Sequence, residues 1–196
     1  MKHFLKVLAV IITLAVPAFS FASVWSIDPD HSSVTFKVRH MMVSNVKGEF
    51  TSFSGSADID DEDIKKMKVE VAIDPASLGT GVEKRDEHLK GPDFLDVAKY
   101  PAMAFVSKQV VQVGDDKLRV YGDLTMHGVT KEVVLNVEGP TKQIKDPRGN
   151  LRRGVSAVTQ IDRKDFGMTW NAQMDNGGVV VGDEVIISLE IELLKK

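Results

Sequence analysis

The 196-residue chain contains no cysteine. Disulfide staples, thiolate metal sites and a lipid-modified N-terminal cysteine are therefore excluded, and stability has to come from an ordinary core. Positive charge is not in excess either. Lys and Arg number 25 against 28 Asp and Glu, a net charge of −3. That argues against nucleic acid as a partner, because neutralising phosphate needs a basic stripe. No apolar run reaches the ~20 residues that a membrane-spanning helix requires. The longest, Leu8 to Val16, is broken by Pro17. It follows Lys2 and Lys6 and precedes Ser20 and Ala22, small residues at −3 and −1 of a cut after Ala22. This is the pattern of a cleavable secretory signal. We expect residues 1–22 to be removed and residues 23–196 to form one domain in a bacterial periplasm or a similar compartment. Lys2 and Lys6 leave with the signal, which takes the net charge to −5.

Catalytic patterns are also scarce. No G-x-S-x-G is present, and Ser54-Gly55-Ser56 lies in a strand-like run rather than a strand-to-helix elbow. Gly79-Thr80-Gly81 lacks the Lys and Ser/Thr of a phosphate loop. His31, His40, His88 and His127 show no metal-ligand spacing, so a metal site would have to be assembled across strands. Asp60 to Asp63 reads as an exposed acidic turn.

What the chain has in quantity is period-two alternation, the mark of strands with one apolar face. Val34, Phe36 and Val38 form one such row, continued by His40. Further rows run through Val69–Ile73, Leu118–Met126, Val133–Val137, Val155–Ile161 and Val185–Leu193. Turns separate them at Val113–Lys117, Met126–Val129, Asp146–Asn150 and Asn176–Gly178. Two stretches read as helical, Asp60–Lys66 and Glu83–Lys90, the second stopped by Gly91-Pro92. No linker, repeat or low-complexity run divides the chain. The pattern argues for an all-β barrel or sandwich. The inner rows mix Gly and Ala with Phe and Leu, which suits either a barrel filled by its own side chains or one that encloses a cavity.

His40 lies on an apolar row and needs a partner there. His31 is expected to bond locally within its turn, and His127 to be solvated. Arg85 and His88 share one face of the second helix, and the apolar Phe94 and Leu95 follow it. This segment reads either as a lid over a pocket or as a brace at one end of the sheet.

Several blocks in fixed order then carry a resemblance. Trp25 to Phe36, Val38-Arg39-His40, Gly48-Glu49-Phe50 and Phe53-Ser54-Gly55 are followed by Ser77–Gly81, Lys84–Leu89, Asp93-Phe94-Leu95 and Lys99-Tyr100-Pro101. Gly122–Lys131 and Ile161–Gly167 complete the series. Together they resemble the YceI-like family from about Trp25 to Leu193. Gly91-Pro92 departs mildly from the usual small or polar residues. The resemblance implies a lipocalin-like antiparallel β-barrel of about eight strands. It implies an elongated apolar cavity for a polyisoprenoid or a similar long-chain amphiphile, such as an isoprenoid quinone, and no established catalysis or cofactor. It also leaves room for a homodimer and for a membrane donor or acceptor of the lipid. On this reading Phe36, Val38, Phe53, Val71, Phe105, Leu124, Leu135 and Ile187 are expected in the cavity wall. Arg85, Asp86, His88 and Phe94 are expected at its mouth, with His40 reaching in from its strand. An enzyme using His40, His88 and a carboxylate, with or without a metal, and a filled structural barrel are the competing readings.

Overall fold

The computed structural model describes residues 23–175 and 177–196. Residues 1–22, where a signal is expected, and Asn176 lie outside the described residues. The alternating rows become the strands β1 (Ser23–Ile27), β2 (Ser33–His40), β3 (Ser44–Phe50), β4 (Phe53–Ile59), β5 (Lys68–Ile73) and β6 (Leu78–Gly79). After the helix α1 (Glu83–Lys90) come β7 (Met103–Gln112), β8 (Lys117–Met126), β9 (Val129–Glu138), β10 (Ile144–Lys145), β11 (Leu151–Asp162) and β12 (Val181–Lys195).

Three pairs of these strands act as single staves, each broken by a turn. β2 and β1 lie in succession along the same edge of β12. β3 pairs with β2 while β4 pairs with β1, and β5 pairs with β4 while β6 pairs with β3. β5 then leads through β7, β8 and β9 to β11, and β11 pairs with β12 along its length. The result is a closed antiparallel barrel of eight staves, with β10 a two-residue addition to β11. Closure leaves no long edge for another chain to extend.

Local chemistry sets the breaks. Asp28-Pro29 and Asp74-Pro75 each open a 3-10 turn. The aspartate accepts a backbone N–H two residues on, from Asp30 at 3.2 Å and Ala76 at 2.9 Å, and the proline fixes φ. The β8–β9 hairpin turns at His127 and Gly128, whose φ values of 51° and 73° are the positive pair a type I′ turn needs.

The helix α1 forms over the expected residues, and the Gly91 N–H closes it on the His88 carbonyl. The other expected helix, Asp60–Lys66, does not form. Only a 3-10 turn at Ile64–Lys66 appears. The Asp60 carboxylate accepts the N–H groups of Glu62 (2.9 Å) and Asp63 (3.2 Å), giving the backbone a local alternative to helix.

Inside, small and large side chains are matched. A Cβ on Gly122 would stand 2.5 Å from Phe105 Cζ and 2.6 Å from the Val106 carbonyl oxygen. A Cβ on Gly48 would stand 2.4 Å from Phe36 Cζ. The two phenyl rings therefore lie across bare backbone on the opposing strand.

Candidate functional site: an apolar hollow in the barrel

The inward rows do not close on one another. They enclose a cavity of ≈ 240 Å³, measured as the space open to the centre of a water molecule. One water needs only about 10–15 Å³ on that measure. The lining is almost wholly Val, Ile, Leu, Met and Phe, and no polar surface opens onto it although Ser56, Thr159 and Arg163 contribute to the wall. Phe36, Val71, Leu135 and Ile187 face inward yet remain only partly buried, because the middle of the barrel is not filled by side chains. Along β12 the lining residues run in regular alternation from Val185 to Leu193, with Val181 beyond the irregularity. At ~3.3 Å per residue and a tilt of ~40°, that run covers roughly 20 Å of the barrel axis.

A buried arginine stands at each end of β11, both continuing the inward row Val155–Ile161. At the upper end Arg163 is 3% exposed and donates to the carbonyl oxygens of Gly182 (2.9 Å), Met168 (2.6 Å) and Trp170 (2.8 Å). Burial pushes its pKa down, opposed by Asp183, which accepts from Nη2 at 3.2 Å. Arg163 thus pins the segment after β11 over the barrel, where Leu89, Phe94, Leu95 and Met168 complete a roof. His88 packs edge-on against Phe94 and Trp170, with centroids 5.1 and 4.8 Å away, and its Nε2 meets Asp93 Oδ2 at 2.9 Å.

At the lower end Trp25 is fully buried, with the guanidinium of Arg153 over its ring at 4.8 Å. Arg153 Nη2 donates to Asp61 at 2.6 Å. Among the described residues, Trp25 Nε1 and Arg153 Nε are buried polar atoms without a hydrogen-bond partner. Trp25, paired with Ala57 of the wall, packs with Arg153 at this end without lining the hollow.

Of the residues singled out from sequence, Phe36, Val38, Val71, Phe94, Phe105, Leu124, Leu135 and Ile187 stand in the cavity wall. His40, Phe53, Arg85, Asp86 and His88 do not. β12 is irregular between Val181 and Val185, the partners of His40 and Val38, so the regular β2–β12 pairing that walls the cavity ends at Val38. Phe53 opens β4 beside the Thr51-Ser52 bend. Arg85 and Asp86 both engage Thr80. Asp86 Oδ1 accepts from its N–H (2.9 Å) and its hydroxyl, while Arg85 Nε and Nη2 donate to its Oγ1 (2.7 Å) and carbonyl oxygen (3.0 Å). That geometry is a brace tying α1 to the loop after β6. His127 is not solvated as expected: its Nδ1 pairs with the Phe166 carbonyl oxygen at 2.9 Å and its ring meets Tyr100. His31 does bond locally, through Nδ1 to Asp28 Oδ2 at 2.9 Å.

Sequence reading passed over Trp25, Arg153, Arg163 and Met168. The two arginines were within reach, because extending the β11 row by one step each way lands on them. A charged residue at the end of an apolar row reads as its limit rather than as part of it.

A charged cluster outside the hollow holds the base of the barrel. Arg152 bonds Asp28 (2.7 Å), Asp146 (2.8 Å) and Glu192. Arg152 holds the Asp28 and Asp146 carboxylates below their usual range, and Asn150 adds to the effect on Asp146. Asp28, His31 and Glu192 are the one group among the described residues whose ligand atoms converge as a metal site would need. Arg152 Nη1 already stands between Asp28 and Glu192 as the cation.

A closed antiparallel barrel around an apolar interior is a lipocalin-like binding architecture. The chain belongs to the YceI-like family, whose domain model matches residues 25–193. A UPF0312 protein of Vibrio cholerae is 36% identical over 170 residues, covering 86% of this chain and 89% of that protein. The crystal structure of Burkholderia cenocepacia BcnA superposes with a TM-score of 0.73 at 25% identity, over 85% of this chain and 98% of BcnA. A polyisoprenoid binding domain from Saccharophagus degradans shares the fold at 18% identity and a TM-score of 0.64, over 90% of this chain and 99% of that domain. No helix among the described residues is long and apolar enough to cross a membrane.

Proposed function

We propose that the barrel binds one long-chain isoprenoid lipid, or an amphiphile built on one such as an isoprenoid quinone, and carries or stores it in the periplasm. The observation that carries this reading is the hollow: continuous, without polar surface, and lined by apolar side chains from Met168 and Val181 at the roof end to Ala57 and Leu193 at the other. A polyprenyl tail has no hydrogen bonds to lose there. Burying several hundred Å² of it at roughly 25 cal/mol per Å² yields on the order of 10 kcal/mol before the costs of association are subtracted. One neutral hydrogen bond to a head group adds about 1 kcal/mol. The tail therefore supplies the affinity, and the polar groups at the ends discriminate among heads. The description of the Saccharophagus degradans domain as polyisoprenoid binding supports the same ligand class.

The catalytic alternative finds less support. His88 is engaged with Asp93, Phe94 and Trp170 at the roof, while His40 ends β2 outside the wall. Neither is among the residues that line the hollow, the apolar cavity suited to a lipid-like substrate.

The test is mass spectrometry of an organic extract of the protein, purified without detergent from the periplasmic fraction. An isoprenoid present in near-stoichiometric amount is the expected result. A lipid-free protein that also fails to take up added polyprenol would end the carrier reading.

A further inference from the structure

The tip of the β2–β3 hairpin breaks two rules at once. Met41, Met42 and Val43 are consecutive apolar residues at 43%, 57% and 77% exposure. Met41 and Met42 both adopt positive φ, 50° and 60°, in a turn closed by the Val43 N–H on the His40 carbonyl oxygen. That is the backbone of a type I′ turn, which Asn-Gly fits without strain and methionine does not. Unstrained and polar residues were available for this position, so the cost of bulky apolar ones points to a use.

The face behind the tip is basic. Lys37 and Lys47 stand directly opposite one another across the hairpin, a pairing of like charges that weakens a sheet. Arg39 lies one outward position nearer the tip, with its Nη2 on the Met42 carbonyl oxygen at 2.7 Å. Among the described residues, none of the three has an acidic partner within ion-pair distance. They form a positive cluster on a chain of net charge −3. A surface recess beside Lys37 and Lys47 is lined by them with Thr35, Glu49, Thr80 and Ser188. The Thr35 and Thr80 hydroxyls already donate to the Ser188 carbonyl oxygen and to Asp86, so the two lysines are the donors offered to phosphate oxygens, with Glu49 as the acid beside them. Phe36 lines both this recess and the apolar hollow.

We propose that the β2–β3 hairpin docks the barrel onto an anionic lipid bilayer, the Met41–Val43 tip entering the interfacial layer while Lys37, Arg39 and Lys47 meet the phosphates. An exposed apolar tip backed by cations is the arrangement that suits such an interface, where apolar insertion and charge attraction add. The hairpin stands at the roof end, since His40 pairs with Val181 beside the segment that Arg163 pins. Docking there would bring the hollow to the membrane surface. The docking itself does not depend on what the hollow holds.

The purified protein is to be sedimented with phosphatidylcholine vesicles made with and without phosphatidylglycerol. We expect binding to the anionic vesicles, weakened by salt. M41N/M42G should lose partitioning by about tenfold or more through lost apolar contact. It should also unfold at a higher temperature, because Asn-Gly relieves the turn. K37Q/K47Q should lose roughly thirtyfold, about 1 kcal/mol for each charge removed. Lipid recovered in organic extracts of all three proteins should be the same. Absence of wild-type binding would overturn the proposal, as would equal binding to both vesicle types or undiminished binding by M41N/M42G. So would tip variants that dissociate a dimer of this chain and leave vesicle binding untouched.

Discussion

Replacing Leu135 with Trp puts an indole into the hollow from the middle of β9. Leu135 is paired with Val120, and its side chain lines the cavity while remaining only partly buried. The larger ring thus has open space ahead of it, unlike at Phe105 and Leu124, which are 7% and 9% exposed and packed into the wall. Overpacking a filled core costs about 1–3 kcal/mol. Here we expect less than about 1 kcal/mol by urea unfolding, because the ring enters space that no side chain occupies. The effect on a bound tail is larger. An indole across the channel removes on the order of 120 Å² of tail burial, about 3 kcal/mol at ~25 cal/mol per Å². That is more than a hundredfold in affinity. Displacement of a fluorescent polyprenyl probe reads the affinity, and extract mass spectrometry reads the lipid carried through purification. Leu135→Ala is the counterpart. In a close-packed core it would cost about 2–5 kcal/mol, but beside a hollow it should fall at or below the low end of that range, with probe binding retained. A Trp variant that folds and binds the probe as tightly as the parent would refute the reasoning. An Ala variant that loses the full cost of a core deletion would show that the interior is packed rather than hollow.

Other expectations follow from the ends and walls of the barrel. Arg163→Met strands three carbonyl oxygens at the roof and should cost about 3 kcal/mol in urea unfolding; stopped-flow exchange of the probe should also quicken as the roof loosens. Gly122→Ala drives a methyl group against the Val106 carbonyl oxygen and the Phe105 ring, so a loss of about 1–3 kcal/mol is expected, against near-neutrality at the open Gly79. Arg152→Met removes the partner that depresses Asp28 and Asp146. Because their folded pKa values lie below the unfolded value near ~3.9, the network stabilises fully above that value and is lost as pH falls through the folded values. The variant should therefore melt lower than the parent at neutral pH, and the gap should narrow in melts run below about pH 4.

The competing positions show where one-dimensional reading stops. The rows Val69–Ile73, Val133–Val137 and Val155–Ile161 turn out to be cavity wall over their whole length, because strict alternation leaves a strand only one way to bury its apolar side. His40 keeps regular register with β3 and still does not line the cavity; the irregularity beside it belongs to β12, more than a hundred residues away. The expected helix at Asp60 failed for a local reason that composition hides, the capture of two N–H groups by one carboxylate. Arg85 and Asp86 looked equally suited to a lid and a brace until Thr80 was seen between them.

The order of residues alone settled the class of nearly every element, the inward face of nearly every strand and the apolar character of the interior, since each depends on neighbours two or four positions apart. Whether those faces would meet in a packed core or stand apart around a hollow was decided only by closure of the barrel. Closure depends on how many staves pair, with what stagger and tilt, and on which distant side chains seal the ends. Arg163 and Trp25 pack at those ends here by contacts with segments that nothing in their own stretch of chain announces.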